Sequence, residues 1–239
     1  MLGHVESMSR TTLMLLFILA LVVPVALTSV RIYQKQLAPE ELNCDVLATT
    51  LEAIDTHSTV PRNPILIIGD TTLKHWDHPL LTVGKNEVII RSPKGINTSI
   101  VGECFQRVVA FYHPRVTVLF IEREELSKPS SIILEALDTI DERRNYYGVS
   151  PHLVLIPPMH VPIDGKREER SNNLRHELER WSSQHPGTRV TNISPALEDP
   201  TRRTADPKLF WPDGRTLTTE GYRRMNVFLK GALEPMAAP

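Results

Sequence analysis

The sequence predicts a three-layer α/β/α domain on a five-stranded parallel sheet, preceded by an N-terminal transmembrane helix. Three observations predict it. Five short, β-branched apolar runs punctuate the chain, longer stretches of mostly helical spacing separate them, and one charge-free apolar segment stands near the N-terminus. Near-continuous apolar strands alternating with helices indicate a parallel sheet covered on both faces. With 239 residues the chain can bury a full core beside an anchor.

Residues 1–10 form a tail and residues 11–30 the predicted transmembrane signal anchor. Thr11 to Ser29 reads TTLMLLFILALVVPVALTS, without a charge. At about 1.5 Å per helical residue it just covers a ~30 Å hydrocarbon layer. Pro24 inside it is better tolerated in a membrane helix than in a soluble one. Arg10 precedes the segment while Arg31 and Lys35 follow it, so flanking charge gives no clean orientation. An uncleaved anchor competes with a cleaved signal peptide, and the poor small-residue site at Ala26-Leu27-Thr28 favours the anchor. Either reading normally leaves the following domain outside the cytoplasm, periplasmic or extracellular.

Residues 31–60 hold a polar connector and a leading helix. From Pro39 to about Ile54, Leu42, Val46, Leu47, Leu51 and Ile54 fall at helical spacing. Residues 61–235 form the main domain. Its strands are Ile65–Gly69, Glu87–Ser92, Val116–Glu122, His152–Pro158 and Arg189–Ser194. After the third strand, Ile132, Ile133, Ala136, Leu137 and Ile140 make one apolar helix face. Lys166–Arg180 reads as a charge-rich, solvated helix. A last helix from near Thr218 buries Tyr222, Met225, Phe228, Leu229 and Leu233.

Net charge is −1 and the basic residues do not gather on one segment, so nucleic-acid binding is not expected. Cys44 and Cys104 are the only cysteines. In an exported domain they could form a disulfide; otherwise they are two small half-buried residues. Their separation makes no zinc signature.

Function in an open parallel sheet collects at the carboxyl ends of the strands. Four segments there resemble the sequence blocks of the SGNH (GDSL-type) hydrolases, in order and spacing. ILIIGDTTLKHW is similar to the nucleophile block, with Thr71 where serine belongs. EVIIRSPKGINTSIV is similar to the second block and retains Arg91 and Gly95. HPRVTVLFIEREEL is similar to the third, with Glu122 to Leu126 in place of G-x-N-D-L. LFWPDGRTLTTEGYRRM is similar to the last, with Asp213 to Leu217 in place of D-G-L-H-L. The resemblance runs from about Val46 to Leu233. It implies a flavodoxin-like arrangement and metal-free, cofactor-free ester or acyl hydrolysis. In that chemistry a serine attacks, a histidine three residues after an aspartate takes its proton, and backbone N–H groups with an asparagine side chain hold the oxyanion.

Carried over position by position, the set is depleted. Thr71 keeps a hydroxyl with restricted rotamers. Ser92 stands where the oxyanion glycine is expected. Glu124 stands where the asparagine should donate, and an ionised carboxylate has no donor. Thr216 stands at the base position and cannot accept a proton near neutral pH, which leaves Asp213 without a histidine to orient. The resemblance therefore implies an impaired or inactive hydrolase, a pseudoenzyme whose crevice binds an acylated or carbohydrate ligand. The alternatives are an active ester hydrolase using Thr71 with a recruited base, His160 in IPPMHVP being the best placed and His75 less so, or an interaction module for an envelope protein. Glu122, Glu124 and Glu125 could form an acidic site for a cation or polyhydroxylated ligand, or a solvated loop neutralised by Arg123 or Arg91. Trp76 and Trp211 could stack on a sugar or pack in the core.

Overall fold

The computed structural model describes residues 42–56, 59–69, 71–163 and 165–237. The segment read as a transmembrane anchor lies outside the described residues, as do the tail before it and residues 31–41. Among the described residues no helix is long and apolar enough to cross a membrane.

Helix α1 (Cys44–Asp55) begins where Asn43 accepts the N–H groups of Asp45 and Val46 at 3.1 and 3.0 Å, a side-chain cap that satisfies two otherwise orphaned donors. Leu47 and Leu51, one turn apart, are its buried stripe. Cys44 is joined to Cys104 by a disulfide with Cα atoms 5.3 Å apart. At the other end Asp55 accepts from Arg91 (2.5 Å), Arg107 (3.1 Å) and the Tyr112 hydroxyl (2.9 Å). Both ends of α1 are thus fastened to one compact unit, Leu42–Pro239.

The sheet has six strands: β1 (Ile65–Ile68), β2 (Thr82–Val83), β3 (Asn86–Arg91), β4 (Val116–Phe120), β5 (His152–Ile156) and β6 (Thr188–Val190), in the order β2-β3-β1-β4-β5-β6. Five run parallel, as the apolar runs predicted. The sixth corrects the expectation of a purely parallel sheet: β2 pairs antiparallel with β3 through a two-residue turn, Gly84-Lys85. Gly84 sits at φ +59, the left-handed region such a hairpin turn requires at its first position. A two-residue strand is too short to show a period, and sequence reading passes over it.

Alternate strand residues feed opposite cores. Leu66, Ile68, Leu119, Leu153 and Leu155 face α1, α3 (Thr98–Glu103), α4 (Phe105–Val108), α5 (Ser130–Tyr147) and α6 (Gly165–Gln184). Ile65, Ile67, Val118, Phe120 and Ile156 face α2 (Thr71–Lys74), α7 (Ser194–Leu197) and α8 (Thr219–Ala237). This period of two, with helices on both sides, makes the three layers. The predicted face of α5 is buried except Ile132, which is 41% exposed in its first turn. Taken alone, the five parallel strands run second, first, third, fourth, fifth. That order reverses direction between β1 and β4, where open α/β sheets open a crevice.

Candidate functional site

A crevice does open there, beyond the carboxyl ends of β1, β4 and β5. Thr72, Glu122, Arg123, Glu124 and Arg215 give it polar walls, and Phe120, Met159 and Val161 part of its apolar lining. Its volume is about 60 Å³, room for a few water molecules and well below the several hundred cubic ångströms of an ordinary ligand pocket.

The first wall follows β1. Gly69 has no space for a side chain: a Cβ there would lie 2.8 Å from the Phe120 Cβ and 3.0 Å from a Glu122 carboxylate oxygen. The turn into α2 therefore sits directly on β4. Thr71 opens α2, so its backbone stands beside the crevice residue Thr72. Asp70 and the Thr71 side chain lie outside what the structure describes. The Thr72 carbonyl accepts the Tyr222 hydroxyl at 2.9 Å. Burial pushes that phenol well above its usual range, and the charges of Asp77, Glu122 and Asp213 add to the effect. Tyr222 thus ties the turn after β1 to α8.

The second wall is the turn after β4, a 3-10 segment over Arg123–Ser127. Glu122 and Glu125 cap it reciprocally, each carboxylate taking the other's backbone N–H. Glu125 also accepts the Thr98 N–H at 3.2 Å and the Thr98 hydroxyl at 3.1 Å, which joins this turn to the start of α3. Burial raises the Glu125 pKa, and the hydrogen bonds from Thr98 and Glu122 pull against it. Glu124 is exposed at the crevice edge. The three glutamates thus diverge, and among the described residues no three acidic, His or Cys groups converge as a metal site. Arg123 donates to the Met159 carbonyl at 3.1 Å. Arg91 is turned away toward Asp55, Tyr112 and its neighbour's carbonyl at Ile90.

Ser92 and Gly95 follow β3 and do not line the crevice. Gly95, at φ +83, is the third residue of a turn closed by the Ile96 N–H on the Pro93 carbonyl at 3.2 Å. A type II turn demands that conformation.

The third wall is the loop before α8. Asp213 Oδ1 accepts the N–H groups of Arg215 (2.8 Å) and Thr216 (2.9 Å), and Oδ2 accepts the Thr216 hydroxyl at 2.6 Å. The Thr216 hydroxyl is the leading cause holding the Asp213 carboxyl below its usual range. Gly214, at φ +59, presses on Ile163, whose Cγ2 would be 2.3 Å from a Cβ, and this seats the loop against the segment after β5.

His160 lies between Met159 and Val161, which line the crevice while it does not. Its backbone N–H donates to the Ser194 hydroxyl at 3.1 Å, and its Nδ1 is 3.3 Å from Glu168 and 3.4 Å from Glu198. The imidazole thus faces the two carboxylates rather than the crevice. Trp76 is buried against Tyr222, ring centroids 6.3 Å apart, while Trp211 is 55% exposed.

Tyr222 and the Glu122–Glu125 pair are site residues that sequence reasoning did not single out for these roles. The capping-box spacing of the glutamates was the available signal, masked because glutamate is an unusual N-cap.

No family's sequence pattern matches the chain, and no curated protein matches it in sequence. Solved structures do match in fold. A candidate platelet activating factor from Streptococcus pneumonia superposes with a TM-score of 0.67 at 19% identity, covering 86% of this chain and 98% of that one. A GDSL-like lipase from Bacteroides thetaiotaomicron gives 0.60 at 14% identity over 79% and 97%. The lipase/acylhydrolase from Enterococcus faecalis gives 0.58 at 16% identity over 74% and 98%. The chain has an SGNH-type hydrolase fold.

Proposed function

We propose that this SGNH-type fold serves a membrane-anchored, extracytoplasmic protein that has lost ester hydrolysis and retains at most ligand binding at its strand ends. The observation that carries the reading is the hydrogen bond from the Thr216 hydroxyl to Asp213. A hydroxyl donating to a carboxylate occupies the position where a base should wait with a free lone pair, and it has no basicity near neutral pH. Glu124 at the crevice edge adds negative charge where an oxyanion would develop. The Cys44–Cys104 bridge supports an oxidising compartment. An acylated or carbohydrate ligand would lie across the rim, since the crevice admits only a few waters.

The test is hydrolysis of p-nitrophenyl acetate and acetylated sugars by the full chain. The expected result is a rate at the buffer background, unchanged in Thr71→Ala. Turnover abolished by Thr71→Ala would overturn the reading. It would favour instead a hydrolase using Thr71 with a recruited base such as His160.

A further inference from the structure

Two stretches of the chain place asparagine two residues before a serine: Asn97-Thr98-Ser99 and Asn192-Ile193-Ser194. This is the acceptor pattern for N-linked glycosylation in an exported domain. Both stand on the carboxyl rim of the sheet, the first after β3 and the second after β6, and their surroundings differ.

Asn97 caps α3 from an extended conformation, φ −147° and ψ 173°. Its Oδ1 accepts the Ile100 N–H at 3.3 Å, and its Nδ2 makes one long, solvent-exposed contact with the Gly95 carbonyl, also 3.3 Å. Glycosylation leaves the carbonyl oxygen untouched and replaces one of two N–H groups. The cap on Ile100 survives, and the remaining N–H can still reach Gly95. A Cβ built at Gly95 would meet nothing within 4 Å, so the turn beside Asn97 borders open space. The folded domain can carry a large substituent here with the Ile100 cap intact and the long Gly95 contact the one bond affected.

Asn192 is different. Its Oδ1 closes a turn on the Ser194 N–H at 3.0 Å. Ser194 is 1% exposed, and its hydroxyl accepts the His160 N–H. Pro195 follows immediately, and a proline restricts the residue before it, stiffening the serine that an acceptor sequence must present.

We propose that Asn97 is an N-glycosylation site and that Asn192 is not. The donor is an oligosaccharide linked through pyrophosphate to a membrane polyprenol. A bond forms between Asn97 Nδ2 and the sugar C1, the bond from C1 to the phosphate oxygen breaks, the lipid pyrophosphate leaves, and the amide proton passes to a base of the transferase. The proposal rests on the extracytoplasmic reading above, and it puts a hydrophilic glycan on the β3 side of the crevice rim.

The experiment expresses the full chain in a eukaryotic secretory host and compares gel mobility before and after peptide-N-glycosidase F. Cysteine state is read in parallel by maleimide labelling without reductant. Wild type and Ser99→Thr should each fall by one step on treatment. Asn97→Gln and Ser99→Ala should run at the treated position untreated, and Asn192→Gln should behave as wild type. Ser99→Ala keeps the Asn97 cap, so loss of the step there is not loss of the fold. A wild-type band insensitive to the glycosidase, or a step that persists in Ser99→Ala, overturns the proposal. If the step is missing while the cysteines are bridged, the site fails alone; if both thiols label, the extracytoplasmic reading falls with it.

Discussion

The Thr216 hydroxyl donates to Oδ2 of Asp213 at 2.6 Å, while Oδ1 of the same carboxylate holds two backbone N–H groups of that loop. Asp213 therefore organises the loop together with the backbone bonds from Trp211 to Thr216 and from Gly214 to Trp211, and no histidine takes part. Rebuilding the chemistry needs three changes together, since base, oxyanion donor and nucleophile act as a unit. Thr71→Ser/Glu124→Asn/Thr216→His is expected to raise p-nitrophenyl acetate hydrolysis on the order of 10²-fold over wild type or more, from the restored donor and base. Thr216→His alone should give far less, with Glu124 still facing the crevice. Initial rates of the three proteins decide it, and a triple variant at the wild-type rate would place the defect elsewhere.

Glu125 carries a pH signature. Burial raises its pKa above the ordinary 4.5 despite hydrogen bonds from Thr98 and Glu122. The folded protein then holds this proton more tightly than the unfolded chain does. The stability it contributes is complete below the unfolded value and is lost as pH rises through the raised folded value. Glu125→Gln keeps an acceptor for the Thr98 N–H and removes the titration. Urea midpoints measured at acid and neutral pH should converge in that variant relative to wild type. Glu125→Ala strands the Thr98 N–H and hydroxyl, which are buried, and should cost about 1–3 kcal/mol.

Gly69 packs tightly at the turn after β1, its missing Cβ site 2.8 Å from the Phe120 Cβ. Gly69→Ala should destabilise by about 1–3 kcal/mol through overpacking, read as a lower urea midpoint with unchanged slope. Wild-type stability in this variant would mean that β1 and β4 separate more easily than the packing implies.

Those positions also mark how far the sequence can be read. The three central parallel strands, β1, β4 and β5, show themselves because each is an apolar run buried on both faces, while β3 and β6 are only partly buried, and the depleted blocks fall on strand ends. Contacts that depend on distant partners do not show. Nothing near Arg91 announces that its guanidinium goes to Asp55, 36 residues upstream, rather than to the glutamates after β4. His160 follows a strand end, as a crevice residue would, but which residues of that loop face inward is fixed by packing. Met159 and Val161 do so because they are apolar. Trp76 and Trp211 are equivalent by composition; Trp76 is buried in the core beside Tyr222, while Trp211 is not.

The leading helix supplies the last prediction. It is held at Cys44 by the bridge to Cys104 and at Asp55 by Arg91, Arg107 and Tyr112. The Arg91 and Asp55 side chains are 9% and 10% exposed, so removing one partner leaves a buried charge uncompensated. Asp55→Ala should cost about 3–5 kcal/mol, and Asp55→Ala/Arg91→Met clearly less than the sum of the single losses. The bridge spans a sequence separation of 60 residues, and closing a loop of that size in the unfolded chain corresponds to about 4 kcal/mol. Urea unfolding with and without reductant measures that contribution; the Asp55 variants, measured oxidised, isolate the charge cluster. Additive single losses in the double variant would show that Asp55 and Arg91 stabilise α1 independently, and the ion pair would then not be what fastens the helix.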